Sequence, residues 1–243
     1  MNYKVTLRFI CFCGFLISIA GCGKLTQSGQ NNTSTGNSLT DTNKTTVSDT
    51  TKVSGDARAE VLKAFQALFT VPSYHLQTVG TDSDGKNSTL TMDYISPDRY
   101  EMKREGDPRA GTGSKKTDMI AVGGDTWVKI EDQPWKKSPV KLNMLKNMQE
   151  VWLDKINGKN YELKSAGTET IDGATMNVYQ LTYNVKDEDA EETYKGAGKV
   201  WIGAADHLVH KSEMESQMSD NPKPSRMTTT YDYKTDVKIE PPM

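Results

Sequence analysis

Histidines and carboxylates are the side chains of this 243-residue chain that could bind a metal ion. The three histidines are His75, His207 and His210. His207 and His210 are three residues apart where a predicted strand begins, so they should point to opposite faces and share no ligand. The acidic run at residues 187–192 could attract a cation, but it lacks the spacing and the glycine of an EF-hand loop. We therefore expect no metal site, and we interpret these residues as solvated surface groups.

Serine followed three residues later by lysine is the spacing of a serine nucleophile beside a catalytic lysine. This spacing occurs at Ser83 with Lys86 and at Ser138 with Lys141, and Ser-Asp-Asn occurs once, at residues 219–221. A Lys-Thr-Gly triplet does not follow, and no serine lies in Gly-x-Ser-x-Gly. We therefore predict no catalytic residue, no enzymatic activity and no cofactor.

The N-terminal 21 residues have the order of an export signal. Lys4 and Arg8 supply positive charge, an almost wholly apolar run follows at residues 9–19, and small residues precede Cys22. The apolar run is about half the roughly 20 residues that a membrane-spanning helix needs. We therefore interpret residues 1–21 as a cleaved signal peptide.

The tetrapeptide Ile19-Ala20-Gly21-Cys22 resembles the bacterial lipobox. The resemblance implies that Cys22 receives acyl chains such as palmitate and becomes the new N-terminus. The protein would then be a lipoprotein held by its anchor on the extracytoplasmic side of a cell-envelope membrane. In a Gram-negative cell it would face the periplasm from the outer membrane. The chain has three cysteines, and all of them lie in or beside the signal: Cys11, Cys13 and Cys22.

The composition divides the remaining chain into a tether and one domain. Residues 22–55 comprise the lipidated cysteine and a stretch of small and polar residues that cannot bury enough apolar surface to fold. The folded domain is expected at residues 56–243. The formal charge is −2, and loss of a signal that carries two basic residues and no acid makes it −4. Such a mildly acidic domain lacks the basic surface that nucleic acid requires, so we expect no nucleic-acid partner.

The hydrophobic periodicity of the domain predicts two helices and about eight to ten strands. Asp56 can cap a first helix, and Ser138 with Pro139 can start a second helix at residues 138–157. The first helix has apolar residues at helical spacing: Val61, Leu62, Phe65, Leu68 and Phe69. Alternation and turn residues predict strands at 88–94, 99–103, 119–122, 126–131, 161–169, 176–185, 198–203, 208–218 and 227–239. Short connections favour antiparallel pairing. The predicted fold is mainly β with α: a large curved antiparallel sheet, or incomplete β-barrel, packed on two or more helices.

The order of several short motifs in this domain resembles the LolA/LppX-like lipoproteins and outer-membrane lipoprotein carriers. The motifs are Pro97-Asp98-Arg99-Tyr100, Gly124-Asp125-Thr126-Trp127, Asp172-Gly173 and Val200-Trp201-Ile202. The resemblance implies a half-barrel around an apolar cavity, with a lipid or the acyl chain of another lipoprotein as ligand. A free carrier has no anchor of its own, whereas this chain has Cys22. We therefore expect a tethered lipid binder, with an envelope protein as a possible further partner.

Aromatic and methionine side chains on the predicted strands are the candidates for lining such a cavity. Methionine suits adaptable apolar surfaces. The candidate ligand-binding residues are Leu90, Met92, Tyr94, Tyr100, Met102, Trp127, Tyr179, Leu181, Tyr183, Trp201, Tyr231 and Tyr233. The alternative hypothesis is a non-enzymatic protein-interaction or envelope-sensing lipoprotein in which the same residues fill a closed core.

Overall fold

The structure is a computed structural model that describes residues 57–106, 116–139, 160–187, 192–219, 221–233 and 236–242. The predicted signal peptide, Cys22 and the tether lie outside these ranges, as do residues 140–159 of the predicted second helix. Among the described residues, no helix has the length and apolar character that crossing a bilayer requires.

In the described part of the chain, eleven strands form one antiparallel sheet. They are β1 (Ser73–Thr81), β2 (Asn87–Ile95), β3 (Arg99–Glu105), β4 (Lys116–Val122), β5 (Asp125–Ile130), β6 (Lys136–Lys137), β7 (Tyr161–Ile171), β8 (Ala174–Asp187), β9 (Glu192–Gly203), β10 (Val209–Met218) and β11 (Asn221–Asp232). Their order across the sheet is β6-β5-β4-β3-β2-β1-β11-β10-β9-β8-β7. The sheet is open, with β6 and β7 at its edges. This arrangement is consistent with an incomplete barrel.

The described residues include the helix α1 (Ala57–Ala67), which packs against β7 and β9. Its buried residues Val61, Ala64 and Phe65, followed by Leu68, recur every three or four positions and so form one apolar stripe. The helix ends in a turn in which the backbone N–H groups of Thr70 and Val71 donate to the carbonyl of Ala67. The apolar stripe belongs to the same hydrophobic core as the sheet residues beneath it.

Pairing β1 with β11 brings the start and the end of the domain together in the middle of the sheet. Leu76 lies opposite both Met92 on β2 and Tyr231 on β11. Because side chains alternate along a strand, Leu76 and its partners define one face of the sheet. We call this the inner face, since it shares its core with α1. The opposite, outer face carries most of the charged residues of β1–β5.

The predicted antiparallel sheet is confirmed, and two of the element predictions are corrected. Strand β1 was not predicted, because its inner face includes Thr78 while its outer face includes Val79, which is 47% exposed. That mixture obscures the apolar alternation of Tyr74 and Leu76. The prediction of two or more helices is not supported. The described residues contain one helix, and the second predicted helix falls largely on residues 140–159, outside them.

The last strand is predicted at residues 227–239, but β11 spans Asn221–Asp232, so it begins six residues and ends seven residues earlier than predicted. Its first part, Asn-Pro-Lys-Pro, was missed because it contains two prolines. Proline cannot donate to a ladder, and it is found where one side of a strand is unpaired. The pairing with β1 starts only at Arg226, and before it Asn221 and Ser225 pair with β10 alone.

Candidate functional site

Three rows of side chains cross the inner face of β1–β5, and the first is aromatic. Cross-strand pairing places Tyr74, Tyr94 and Tyr100 side by side, and we call them the tyrosine row. All three are buried, and the ring centroids of Tyr74 and Tyr94 are 4.9 Å apart. Arg99 beside this row donates to the carbonyl of Ile239 at 3.3 Å, and Ile239 is itself buried. Because all three tyrosines are only 2% exposed, the tyrosine row is the closed end of the inner face.

The second row is built from thioethers. Met92, Met102 and Met119 lie directly opposite one another on β2, β3 and β4, and we call them the methionine row. Leu76 continues this row on β1 and Val128 continues it on β5. Met92 and Met102 are buried, whereas Met119 and Val128 are half-buried. This row supplies a flexible, polarizable apolar surface.

The third row contains the charge, and we call it the arginine row. It comprises Thr78, Leu90, Arg104, Thr117 and Ile130, one from each of β1 to β5. Thr78 is buried, and the other four are half-buried. Exposure therefore rises along the strands from the tyrosine row to the arginine row, a distance of about 13 Å at roughly 3.3 Å per residue. The inner face is sealed at one end and accessible at the other.

On the other half of the sheet, two glycines leave room for side chains from neighbouring strands. A Cβ atom at Gly198 would lie 2.1 Å from the Sδ atom of Met214, and one at Gly196 would lie 2.3 Å from the Oη atom of Tyr183. Met214 and Tyr183 therefore lie over the β9 backbone, which has no side chain of its own there. At these two positions the side chains of Tyr183 from β8 and Met214 from β10 take the space that a β9 side chain would occupy.

The tyrosine hydroxyls of the inner face are held in the neutral form. Burial raises the pKa of Tyr100 and of Tyr161 to about 12. Burial likewise raises the pKa of Tyr183 and of Tyr233 above the ordinary value. The pKa of Tyr179 is raised by burial and by its hydrogen bond to Glu60 of α1. At neutral pH these phenols are uncharged, so the inner face presents an apolar surface with a few neutral hydroxyl groups.

Ten of the twelve predicted cavity residues lie on the inner face, and two do not. Those on the inner face are Leu90, Met92, Tyr94, Tyr100, Met102, Tyr179, Leu181, Tyr183, Tyr231 and Tyr233. Trp127 pairs with Ile120, and Trp201 pairs with Val178, so both tryptophans lie on the outer face. That placement removes Trp127 and Trp201 from any cavity between the sheet and α1. Whether the other ten line a ligand cavity stays a prediction.

Trp201 belongs instead to a separate cluster on the outer face with Met176 and Val178. Its Nε1 donates to the carboxylate of Glu169 at 2.8 Å, and this bond lowers the pKa of Glu169. The Nζ atom of Lys211 lies 4.8 Å from the indole centroid. Trp201 is thus buried among Met176, Val178 and a lysine side chain on the outer face, and not in the core that faces the helix.

Two of the three histidines pair with a nearby aspartate, and the third lies in a turn. His75 pairs with Asp93 at 2.7 Å, His210 pairs with Asp206 at 2.9 Å, and His207 is exposed in a turn with φ of 60°. Within the described part of the chain, no three His, Cys, Asp or Glu side chains are grouped so that they could hold a metal ion.

Sequence reasoning missed several inner-face residues, of which Arg104 bears the only charge. Of all the inner-face positions on β1–β5, Arg104 alone is charged. Tyr100 and Met102 were placed on one face from the alternation of β3, and extending that alternation by one step reaches Arg104. Thr78 was missed because β1 was missed. Its Oγ1 lies 2.8 Å from Oγ1 of the equally buried Thr229.

Comparison with known proteins defines the fold. No protein-family model matches the chain, and no curated protein sequence matches it significantly. Among solved structures, LprF from Mycobacterium bovis is similar over 76% of this chain and 96% of its own, with a TM-score of 0.50 and 14% identity. The lipoprotein LppX from Mycobacterium tuberculosis is similar over 76% of this chain and 98% of its own, with a TM-score of 0.49 and 18% identity. The likeness to LprF concerns the fold alone. The fold predicted from the motif order is confirmed by the likeness to LprF.

Proposed function

We propose that this protein is an extracytoplasmic, membrane-anchored lipoprotein that holds a lipid or an acyl chain against the inner face of its sheet, without catalysing a reaction. The observation that carries the proposal is the gradient along β1–β5. A closed tyrosine row is followed by a methionine row and then by half-buried apolar residues such as Leu90 and Ile130. An alkyl chain entering from the arginine row would meet thioether and aliphatic side chains before it reached the tyrosines.

The energetic basis of such binding is burial of the alkyl chain, worth about 0.8 kcal/mol for each methylene removed from water. Neutral tyrosines and methionines place no charge along this path. The proposed anchor at Cys22 would keep the inner face near a membrane surface, and residues 22–55 would let the domain reach it. Cell-envelope location and lipidation of Cys22 are parts of the same proposal, and they rest on the export-signal pattern.

The proposal is tested first by native mass spectrometry of the full chain, purified from its own host in a non-ionic detergent, with extraction of the bound lipid. We expect an adduct of one lipid per protein. Added dansyl-labelled undecanoic acid should also bind with an increase in dansyl fluorescence. A protein without an adduct and without uptake of this fatty acid would refute lipid binding. That result would favour the protein-interaction alternative.

A matched pair of substitutions ties the binding to the inner face. Leu90→Trp would place a large side chain among the half-buried residues of the inner face, whereas Val79→Trp places the same side chain on the exposed outer face of the adjacent strand. We expect Leu90→Trp to lower fatty-acid uptake several-fold and Val79→Trp to leave it unchanged. Equal uptake by the two variants would show that the lipid binds elsewhere.

A further inference from the structure

Arg104 places a positive charge at the accessible end of a largely apolar inner face. Arg104 is half-buried on β3, between Leu90 of β2 and Thr117 of β4. The other charged residues of β3 are Arg99, Glu101, Lys103 and Glu105, and all of them have outer-face positions. Their partners are also on that side: Glu101, for example, pairs with Lys103 at 2.9 Å.

A guanidinium on a largely apolar face is costly to desolvate unless anionic or hydrogen-bonding groups lie beside it. Arginine has five N–H donors in a planar fork, so a protein partner can occupy some of them while others remain for a ligand. The fork matches the geometry of a carboxylate or a phosphate. An anion beside Arg104 would be held at the accessible end of the inner face, away from the tyrosine row.

Building on the lipid-binding function proposed above, we propose that the arginine row is a head-group subsite, and that Arg104 binds the anionic head of an amphiphile whose alkyl chain lies along the methionine row. The ligand class is therefore an acyl chain that ends in a carboxylate or a phosphate. Thr117 offers a hydroxyl next to Arg104 on the adjacent strand. Leu90 and Ile130 would flank the first carbons of the chain.

The test compares three ligands that share one alkyl chain and differ in the head: oleate, 1-oleoyl-lysophosphatidate and the neutral oleyl alcohol. The full chain is titrated with each ligand by native mass spectrometry in one non-ionic detergent, and relative dissociation constants are taken from the adduct fractions. For the wild type we expect at least one of the two anions to bind about 10-fold or more tighter than the alcohol, as a charged hydrogen-bonded pair would provide. The preferred anion identifies the head group as carboxylate or phosphate.

The variant Arg104→Gln should lose that preference while still binding oleyl alcohol as the wild type does. Lys103→Gln is the matched control, because it removes the neighbouring positive charge from the exposed outer face of the same strand. It should leave the preference intact. Arg104→Lys, which keeps the charge without the fork, should retain part of it.

The outcomes separate this inference from the function on which it rests. Wild-type protein that binds the anions and the alcohol equally would overturn the head-group subsite and leave lipid binding standing. The same holds if Arg104→Gln keeps the preference. A wild type that binds none of the three ligands would overturn lipid binding itself. If Arg104→Gln fails to fold, the wild-type preference together with Arg104→Lys still decides the question.

Discussion

The substitution Gly198→Ala tests most directly whether the inner face is packed as the structure indicates. Gly198 lies on β9 where Met214 of β10 lies over the backbone. The new methyl carbon would lie 2.1 Å from the Met214 Sδ atom and 2.2 Å from the backbone oxygen of Glu213. The thioether can move because methionine has three flexible torsions. The carbonyl oxygen belongs to the backbone of the paired strand β10, so it cannot move without disturbing the sheet.

The expected cost follows from these two contacts. Overpacking of a well-packed core costs about 1–3 kcal/mol, and a contact with backbone places this site in the upper part of that range. Replacing glycine by alanine also reduces the entropy of the unfolded chain, which offsets about 0.4–1 kcal/mol. We therefore expect Gly198→Ala to lower the free energy of unfolding by about 2 kcal/mol. For a domain of this size that corresponds to a decrease in Tm of about 4–8 °C.

Gly80→Ala is the matched control, because Gly80 lies on the same face of β1. There the added methyl carbon would lie 3.2 Å from the Ser88 hydroxyl and 3.5 Å from the backbone oxygen of Arg226. The hydroxyl group of serine can rotate away, so only the entropic gain remains. We expect this variant to match the wild type or to exceed it by up to about 1 kcal/mol.

Urea unfolding of the full chain, followed by tryptophan fluorescence and circular dichroism, measures both variants. With a slope of about 2 kcal/mol per molar urea, the Gly198→Ala midpoint should fall by about 1 M. If Gly198→Ala unfolds at the same urea concentration as Gly80→Ala, then Met214 and the β10 backbone do not lie over β9 as described. The account of the inner face would then be wrong.

Three further predictions concern buried hydroxyls and ionisable groups. Thr78→Val should lower the free energy of unfolding by about 1–3 kcal/mol, because it leaves the buried Thr229 hydroxyl without its partner. The double variant Thr78→Val with Thr229→Val should recover most of this loss. A double-mutant cycle by urea unfolding measures the coupling, and additive losses would contradict it. Trp201→Phe removes the bond that lowers the pKa of Glu169. A lowered carboxyl pKa stabilises the fold fully above the ordinary pKa, and this contribution is lost as the pH falls through the lowered pKa. The stability gap between wild type and this variant should therefore narrow as the pH falls below about 4; urea midpoints at pH 6 and pH 3.5 test it, and a constant gap would refute it. The wild type should lose more stability than Tyr100→Phe as the pH rises from 10 to 12. Burial raises the pKa of the folded-state phenol to about 12, so the phenol stabilises the fold only while it is neutral. Thermal unfolding of both proteins at pH 8 and pH 11 gives the comparison, and equal losses would contradict the prediction.

Local patterns in the sequence were sufficient for most of the strands and for the apolar stripe of α1. The hairpin of β2 and β3 could be predicted because Met92 and Tyr94 alternate with polar residues and Pro97-Asp98 marks the turn. The cis Ser96–Pro97 bond lies at that turn. Strand β1 was not predicted because its polar Thr78 is buried and its apolar Val79 is exposed, which is the opposite of the usual alternation. A hydroxyl is acceptable on the inner face only because Thr229, 151 residues away in the chain, supplies its partner.

The faces on which the two tryptophans lie could not be predicted from the sequence. Both were predicted cavity candidates because they are aromatic and lie on predicted strands. Trp201 is instead buried on the outer face, where Glu169 accepts its N–H and lysine side chains lie near its ring. Trp127 has Lys137 of the edge strand β6 near its ring, at 5.4 Å. Alternation shows which residues share a face, but not which face the core covers when both faces carry aromatic groups.

The sequence by itself determined the local features: the export-signal pattern with Cys22, the run of small and polar residues after it, the apolar stripe of α1, and the alternation that defines most strands. These depend on residues a few positions apart, so composition and periodicity reveal them. Only the tertiary structure decided that β1 lies between β2 and β11, and that tyrosines, methionines and Arg104 form successive rows across five strands. Those rows arise from the register between strands. That register is fixed by contacts between residues far apart in the chain, for which no local pattern carries the information.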